Sequence, residues 1–141
     1  MQAKIDLMPE GIAIVDYGQN AFISHQYLAE TLVRYKAELI DLFPHIDALP
    51  IFMKAHGLKG MSKKAIDLVQ SEEMCEVVTG MACVPGSVIE RGLLRVFLWS
   101  FQPPYDFRSC AKDQEAIDWL AERKPSNFTH ADYLLWKSSR L

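Results

Sequence analysis

Apolar positions along the chain follow two rhythms, and the places where one gives way to the other mark the elements. Ala3–Met8 alternates weakly and Ile12–Tyr17 is rich in β-formers, with the turn residues Pro9-Glu10-Gly11 between them, so an N-terminal hairpin is expected. The period then lengthens. Tyr27, Leu28, Thr31, Leu32, Tyr35, Leu39 and Ile40 recur at steps of three and four, which predicts a long helix over about 24–42, capped by Ser24 and stopped by Pro44. Leu49–Lys54 is a short apolar run of the buried-strand kind. Gly57 and Gly60 make a loop, and Ser62 stands where an N-cap belongs before the helical run Lys63–Val69.

The second half repeats the pattern. Val77–Val84 is mostly small and apolar and reads as a central strand, and Pro85-Gly86 turns the chain. Ser87 opens a third helix that runs to about Phe101 and is stopped by Pro103-Pro104. Phe107–Cys110 is a short strand, and Asp113–Arg123 is a fourth helix with Ala116, Ile117 and Leu120 facing inward. Thr129-His130-Ala131-Asp132 has the form of a capping box ahead of a short C-terminal helix. The order β-β-α-β-α-β-α-β-α predicts an α/β protein. Its mixed sheet should have about five strands, parallel except for the opening hairpin, flanked by about four helices. Residues 1–125 are expected to form the domain and 126–141 a C-terminal tail.

Composition narrows the classes of function. With 141 residues, half of them apolar and 23% charged, the chain has the balance of one globular domain. The net charge is −3, and the main basic clusters, Lys63-Lys64 and the pair Arg91 and Arg95, are diluted by nearby acids. Phosphate backbones are bound by displacing counterions with many cations, so nucleic acid is not an expected partner. The longest apolar stretch, Gly92–Phe101, is broken by Arg95 and is too short to span a membrane. Cys75, Cys83 and Cys110 are odd in number and widely spaced, which points to a reducing compartment. Residues 1–10 lack a basic segment followed by an apolar one, so a cytoplasmic location is expected.

The chemistry-bearing residues suggest binding rather than catalysis. His25, His45, His56 and His130 share no metal-ligand spacing, and no cofactor or metal is expected. Cys83 falls in the expected central strand as a small hydrophobe, and Cys75 and Cys110 have no base near them in sequence to activate them. The helix start at Ser62, Lys63 and Lys64 offers a weak anion site, set against a plain cap with two solvated lysines. The third helix is more informative. Val88, Ile89, Gly92, Leu93, Val96, Phe97 and Trp99 form a broad stripe expected to face the sheet, while Leu94 and Leu98 lie off it among Glu90, Arg91 and Arg95. Those two leucines are covered by the chain's own tail or a neighbouring helix, or they mark a dimer contact, a partner groove or a pocket for an apolar ligand.

A family pattern runs through these residues. Leu49-Pro50-Ile51-Phe52, the loop Gly57-Leu58-Lys59-Gly60-Met61-Ser62-Lys63-Lys64-Ala65, and the strand Met81-Ala82-Cys83-Val84 belong to it. So do Ser87 with Arg91, Phe97-Leu98, Pro103-Pro104 and Glu115-Ala116-Ile117-Asp118-Trp119-Leu120. Together they resemble the SpoIIAA-like group of STAS-related (STAS/SEC14) domains over about residues 3–123. The resemblance implies a sheet flanked by helices, in a family used mostly for binding and regulation. Where relatives that antagonise anti-sigma factors carry a phosphorylatable serine pair after an acid, this chain has Ser62 on the acid and Lys63 and Lys64 on the pair. No phospho-switch is therefore expected. The function expected is a non-catalytic regulatory or scaffolding module that binds a protein partner or a second copy of itself. The alternative is a module that binds a lipid or other apolar small molecule. The binding residues expected are Ser62, Lys63, Lys64, Arg91, Leu94, Arg95 and Leu98.

Overall fold

A computed structural model describes residues 2–100 and 103–141, without the side chains of Leu93 and of residues 96–100. Strand β1 (Lys4–Leu7) pairs antiparallel with β2 (Ala13–Gln19), from Lys4 opposite Asp16 to Leu7 opposite Ala13. The hairpin turn requires Gly11: its φ is +87°, and a Cβ there would stand 2.9 Å from the ring of Phe128. Strands β4 (Leu49–His56), β6 (Val78–Cys83) and β7 (Asp106–Ser109) follow in parallel, so the sheet order is β1-β2-β4-β6-β7. Two short segments, β3 (Phe22–Ile23) and β5 (Gly60–Met61), pair in parallel as a small separate sheet that the sequence pattern did not reveal.

Alternation along the strands sorts side chains onto two faces. Val15, Tyr17, Ile51 and Met81 join one buried cluster with Leu28, Leu32 and Tyr35 of α1 (His25–Glu38), Ala65 and Val69 of α2 (Lys63–Val69), and Met74 and Val77 of α3 (Glu72–Val77). Ile12, Phe52 and Ala82 point the other way, against Ala116 and Leu120 of α5 (Asp113–Ala121). The strands succeed one another in a single direction across the sheet. Right-handed crossovers between such strands fall on one face, which leaves the opposite face to α5.

The expected elements are present, with instructive shifts. Ser24 caps α1, its hydroxyl accepting from the Tyr27 N–H at 3.1 Å, but α1 ends at Glu38 rather than near 42. The chain tightens there into a 3₁₀ turn, Ile40–Leu42, which brings Leu39 and Phe43 into the core together. Helix α3 was not anticipated. Six residues are too few to show a period, and its signal is the Ser71 cap alone. Helix α4 (Val88–Ser100) lies within the expected span.

Residues 126–141 carry α6 (His130–Ser139), opened by the expected capping box. The Thr129 hydroxyl accepts from the Asp132 N–H at 3.4 Å, and Asp132 Oδ2 accepts from the Thr129 N–H at 2.9 Å. Phe128 and Trp136 belong to the same buried cluster as β1 and α1. Arg140 donates to the Ile5 carbonyl at 2.9 Å and pairs with Glu38 at 3.2 Å. Asp132 Oδ2 also lies 3.0 Å from His45 Nε2.

Burial raises the pKa of the Asp132 carboxyl, but hydrogen bonds from His45 and Thr129 outweigh it, and the net position is below the usual carboxylate range. A carboxyl depressed in the folded state stabilises the fold above the pKa of the unfolded chain. That stabilisation is lost as pH falls through the folded value. Asp132→Ala should therefore cost about 1–2 kcal/mol at neutral pH. In melts taken at successively lower pH, the gap to the wild type should close below the ordinary carboxylate pKa. A gap independent of pH would contradict this reading of Asp132.

Candidate functional site

Among the described residues the crossover face is not fully packed. A cavity of about 360 Å³ opens between the sheet and α4. Its floor is the helix-side set of the strands, Tyr17, Met53, Ala55, Met81 and Cys83, all in the C-terminal halves of β2, β4 and β6. Ligands of open parallel sheets sit outside the carboxyl ends of the strands, and this cavity has that position. Leu28, Val69 and Met74 supply the side wall from α1, α2 and α3, and the small β3–β5 sheet closes another side.

The described lining is overwhelmingly apolar and soft. Four of the chain's six methionines, Met53, Met61, Met74 and Met81, face the cavity. Unbranched thioether side chains of this kind repack around differently shaped ligands. Burial, reinforced by the neighbouring Cys110, pushes the Cys83 thiol up to about 12. That thiol is protonated at neutral pH and behaves as a small apolar wall group. The ionisable carboxylate and ammonium in the described lining are Glu90 and Lys59.

Glu90 fixes the roof. Its Oε1 accepts from the Gly57 N–H at 2.7 Å and its Oε2 from the Gly86 N–H at 2.6 Å. The Ser87 hydroxyl accepts from the Glu90 N–H at 3.1 Å. One carboxylate thus ties the first turn of α4 to the loop after β4 and to the turn before α4. It also sets the rotation of the helix. Glu90 and Leu94, four residues apart on one face, line the cavity.

This corrects the expected orientation of α4. Val88 and Ile89, expected to face the sheet, are 80% and 76% exposed, and Gly92 is exposed as well. Two charge-assisted bonds to backbone N–H groups hold Glu90, on the opposite face of the first turn, toward the cavity. The other members of the expected stripe, Leu93, Val96, Phe97 and Trp99, lie outside the described side chains.

Of the residues expected to bind, Leu94 reaches the cavity and is half-buried. Leu98 lies outside the described side chains. The Ser62 hydroxyl accepts from the Ala65 N–H at 3.1 Å as the cap of α2. Lys63, Lys64, Arg91 and Arg95 are exposed. Sequence reasoning missed Tyr17, Met53, Met81 and Glu90. The first three share the parity of the buried strands, which the pattern gives without saying that they border a void. Glu90 had a readable signal, because Ser87 followed by Glu90 is a capping-box spacing. Among the described residues no group of three or more His, Cys, Asp and Glu side chains is placed to hold a metal ion. No helix among them is long and apolar enough to cross a membrane.

The chain belongs to the family described as "Domain of unknown function (DUF7793)", whose model matches residues 7–124. No curated protein matches it. Among solved structures it is similar to an uncharacterized protein of the DUF3478 family, with a SpoIIAA-like fold, from Shewanella loihica PV-4. That likeness has a TM-score of 0.53 at 15% identity, covering 84% of this chain and 91% of the other. The fold is SpoIIAA-like, as the sequence resemblance implied.

If Glu90 latches α4, Glu90→Ala should free the amides of Gly57 and Gly86 while the sheet stays intact. Hydrogen exchange should speed up at those two amides and along the first turns of α4, and stay at wild-type rates in β4 and β6. Unchanged exchange at both glycines would rule out the latch.

Proposed function

We propose that this domain is a non-catalytic binding module that takes a small apolar molecule into the cavity beneath α4. The observation that carries the reading is the cavity itself, which is within the size range of ligand pockets and lined by side chains that water does not solvate well. Water solvates such a lining poorly, so an apolar guest that takes its place gains the burial of both surfaces.

The position of α4 suggests how occupancy becomes a signal. Its inner face touches the cavity through Glu90 and Leu94, and its outer face presents Val88 and Ile89 to solvent. A ligand that presses on Leu94 shifts or orders the same helix that carries the exposed pair, so binding inside alters a surface outside. Arg91 and Arg95 flank that surface and are proposed as its polar rim, with Leu98 as a further binding residue on the same helix. Ser62, Lys63 and Lys64 are retained as a candidate anion contact of lower standing, because the serine is already occupied as a cap.

A second reading is favoured by one feature, the adjacent exposure of Val88 and Ile89. In it the outer face of α4 binds a protein partner or a second copy of the chain, and the cavity is incidental. Native mass spectrometry of the protein purified from cells separates the two. The favoured reading predicts a monomer carrying an adduct of small-molecule mass. It also predicts that Leu94→Trp, which puts a bulky ring into the cavity and narrows it, loses the adduct and still folds. A doubled mass without adduct supports the second reading, and an adduct retained by Leu94→Trp contradicts the first.

A further inference from the structure

Three buried tyrosines face the interior, and one of them is anomalous. The Tyr35 hydroxyl donates to the Val77 carbonyl at 2.7 Å, and the Tyr105 hydroxyl donates to the Val69 carbonyl at 3.0 Å. Tyr17, only 6% exposed, has no such bond from its own hydroxyl among the described residues. Its backbone carbonyl accepts from the Tyr27 hydroxyl at 3.4 Å, and the two rings are tilted with centroids 5.5 Å apart, so the residue is firmly held. A buried phenol normally finds a hydrogen-bond partner, and one without a partner needs an explanation.

The surroundings say where that partner belongs. Tyr17 lines the cavity. The sealed side-chain polar atoms without a hydrogen bond among the described residues are Glu38 Oε2, which is ion-paired with Arg34 at 3.4 Å, and Trp136 Nε1, so the Tyr17 hydroxyl is not walled in by packing. Its side chain borders this cavity and a smaller space of about 20 Å³, and the larger of the two is the one with room for a partner. Water is a poor occupant there, because a buried water needs about two to four polar partners and the floor offers this one hydroxyl. A charged group is poorer still. Both oxygens of Glu90 are already engaged by backbone N–H groups, Lys59 is exposed, and an unpaired charge buried among methionines carries a heavy desolvation cost. Burial holds the Tyr17 phenol well above its ordinary pKa, so it is a neutral hydroxyl that both donates and accepts.

We infer that the natural ligand is a neutral, mainly apolar molecule with a hydrogen-bonding oxygen, an alcohol, ketone or ester, seated against the Tyr17 hydroxyl on the cavity floor. The inference rests on the apolar-cavity reading and adds the polar group that would select among apolar molecules. Apolar contact with the methionines supplies most of the affinity, and the single oxygen supplies orientation.

Calorimetric titration with naphthalene, 2-naphthol and 2-naphthoate tests it. The wild type should bind 2-naphthol about threefold to tenfold tighter than naphthalene, the factor that one net hydrogen bond supplies. The naphthoate anion should bind more weakly than the naphthol. Tyr17→Phe should erase the difference between naphthol and naphthalene. Without ligand, the same variant should melt at or above the wild-type temperature, because it removes a partnerless buried hydroxyl. Equal binding of naphthol and naphthalene by the wild type would overturn the inference while leaving the cavity reading in place. So would a preference that survives in Tyr17→Phe, a clear loss of stability in that variant, or tightest binding of naphthoate. Binding of none of the three probes would remove the cavity reading and this inference with it.

Discussion

Strand β4 is the constraint on which the architecture depends. It lies third of five strands, paired on both sides, with helices packed on both faces and its first four residues buried. Its alternation then decides what each face can be. Phe52, on one side, meets Ala116 and Leu120 of α5 in a compact cluster. Met53 and Ala55, on the other, put a flexible and a small side chain where the crossover helices converge. The contrast is continued by its neighbours. Ile12 and Ala82 pack closely under α5, while Tyr17, Met81 and Cys83 border open space under α4. One sheet thus has a filled face and an incompletely filled one, and the unfilled part falls at the carboxyl ends of the parallel strands.

The roof over that part is held differently from the rest of the fold. Helices α1, α2 and α3 are fixed by apolar burial through Leu28, Leu32, Ala65, Val69, Met74 and Val77. The first turn of α4 is fixed by a carboxylate on two backbone amides. Hydrogen bonds of this kind set a rotation, whereas burial sets a distance. The arrangement explains why Val88 and Ile89 are left in solvent.

Much of the fold is legible in the sequence because local signals and global packing agree. The hairpin at Pro9-Glu10-Gly11, the caps at Ser24 and Ser62, the helix start after Ser87, and the Thr129–Asp132 capping box all appear where spacing places them. The reading failed on the orientation of α4, for a physical reason. A hydrophobic stripe reports where burial would be favourable, and it does not record a single acid with two backbone amides within reach. In the sequence Glu90 reads as a solvated acid, because its partners, Gly57 and Gly86, are brought to it only by tertiary structure. The cavity was hidden in the same way. Met53, Met74 and Met81 read as core residues whether or not the core is full, and an unpaired Tyr17 hydroxyl has no trace in a linear pattern. Leu94 was separated from the stripe by spacing alone, and the structure places it on the cavity wall.

The central claim is that the space beneath α4 is dry, apolar and able to admit a guest. Xenon tests this directly, since it enters apolar cavities, forms no hydrogen bonds and needs no assumption about the natural ligand. In methyl-resolved NMR under xenon pressure, the account predicts saturable shifts at the methyls of Met53, Met74, Met81 and Leu94. The α5 face, at Ile12 and Ala116, should remain silent. No saturable response at the four cavity residues, or equal response on both faces of the sheet, would contradict it.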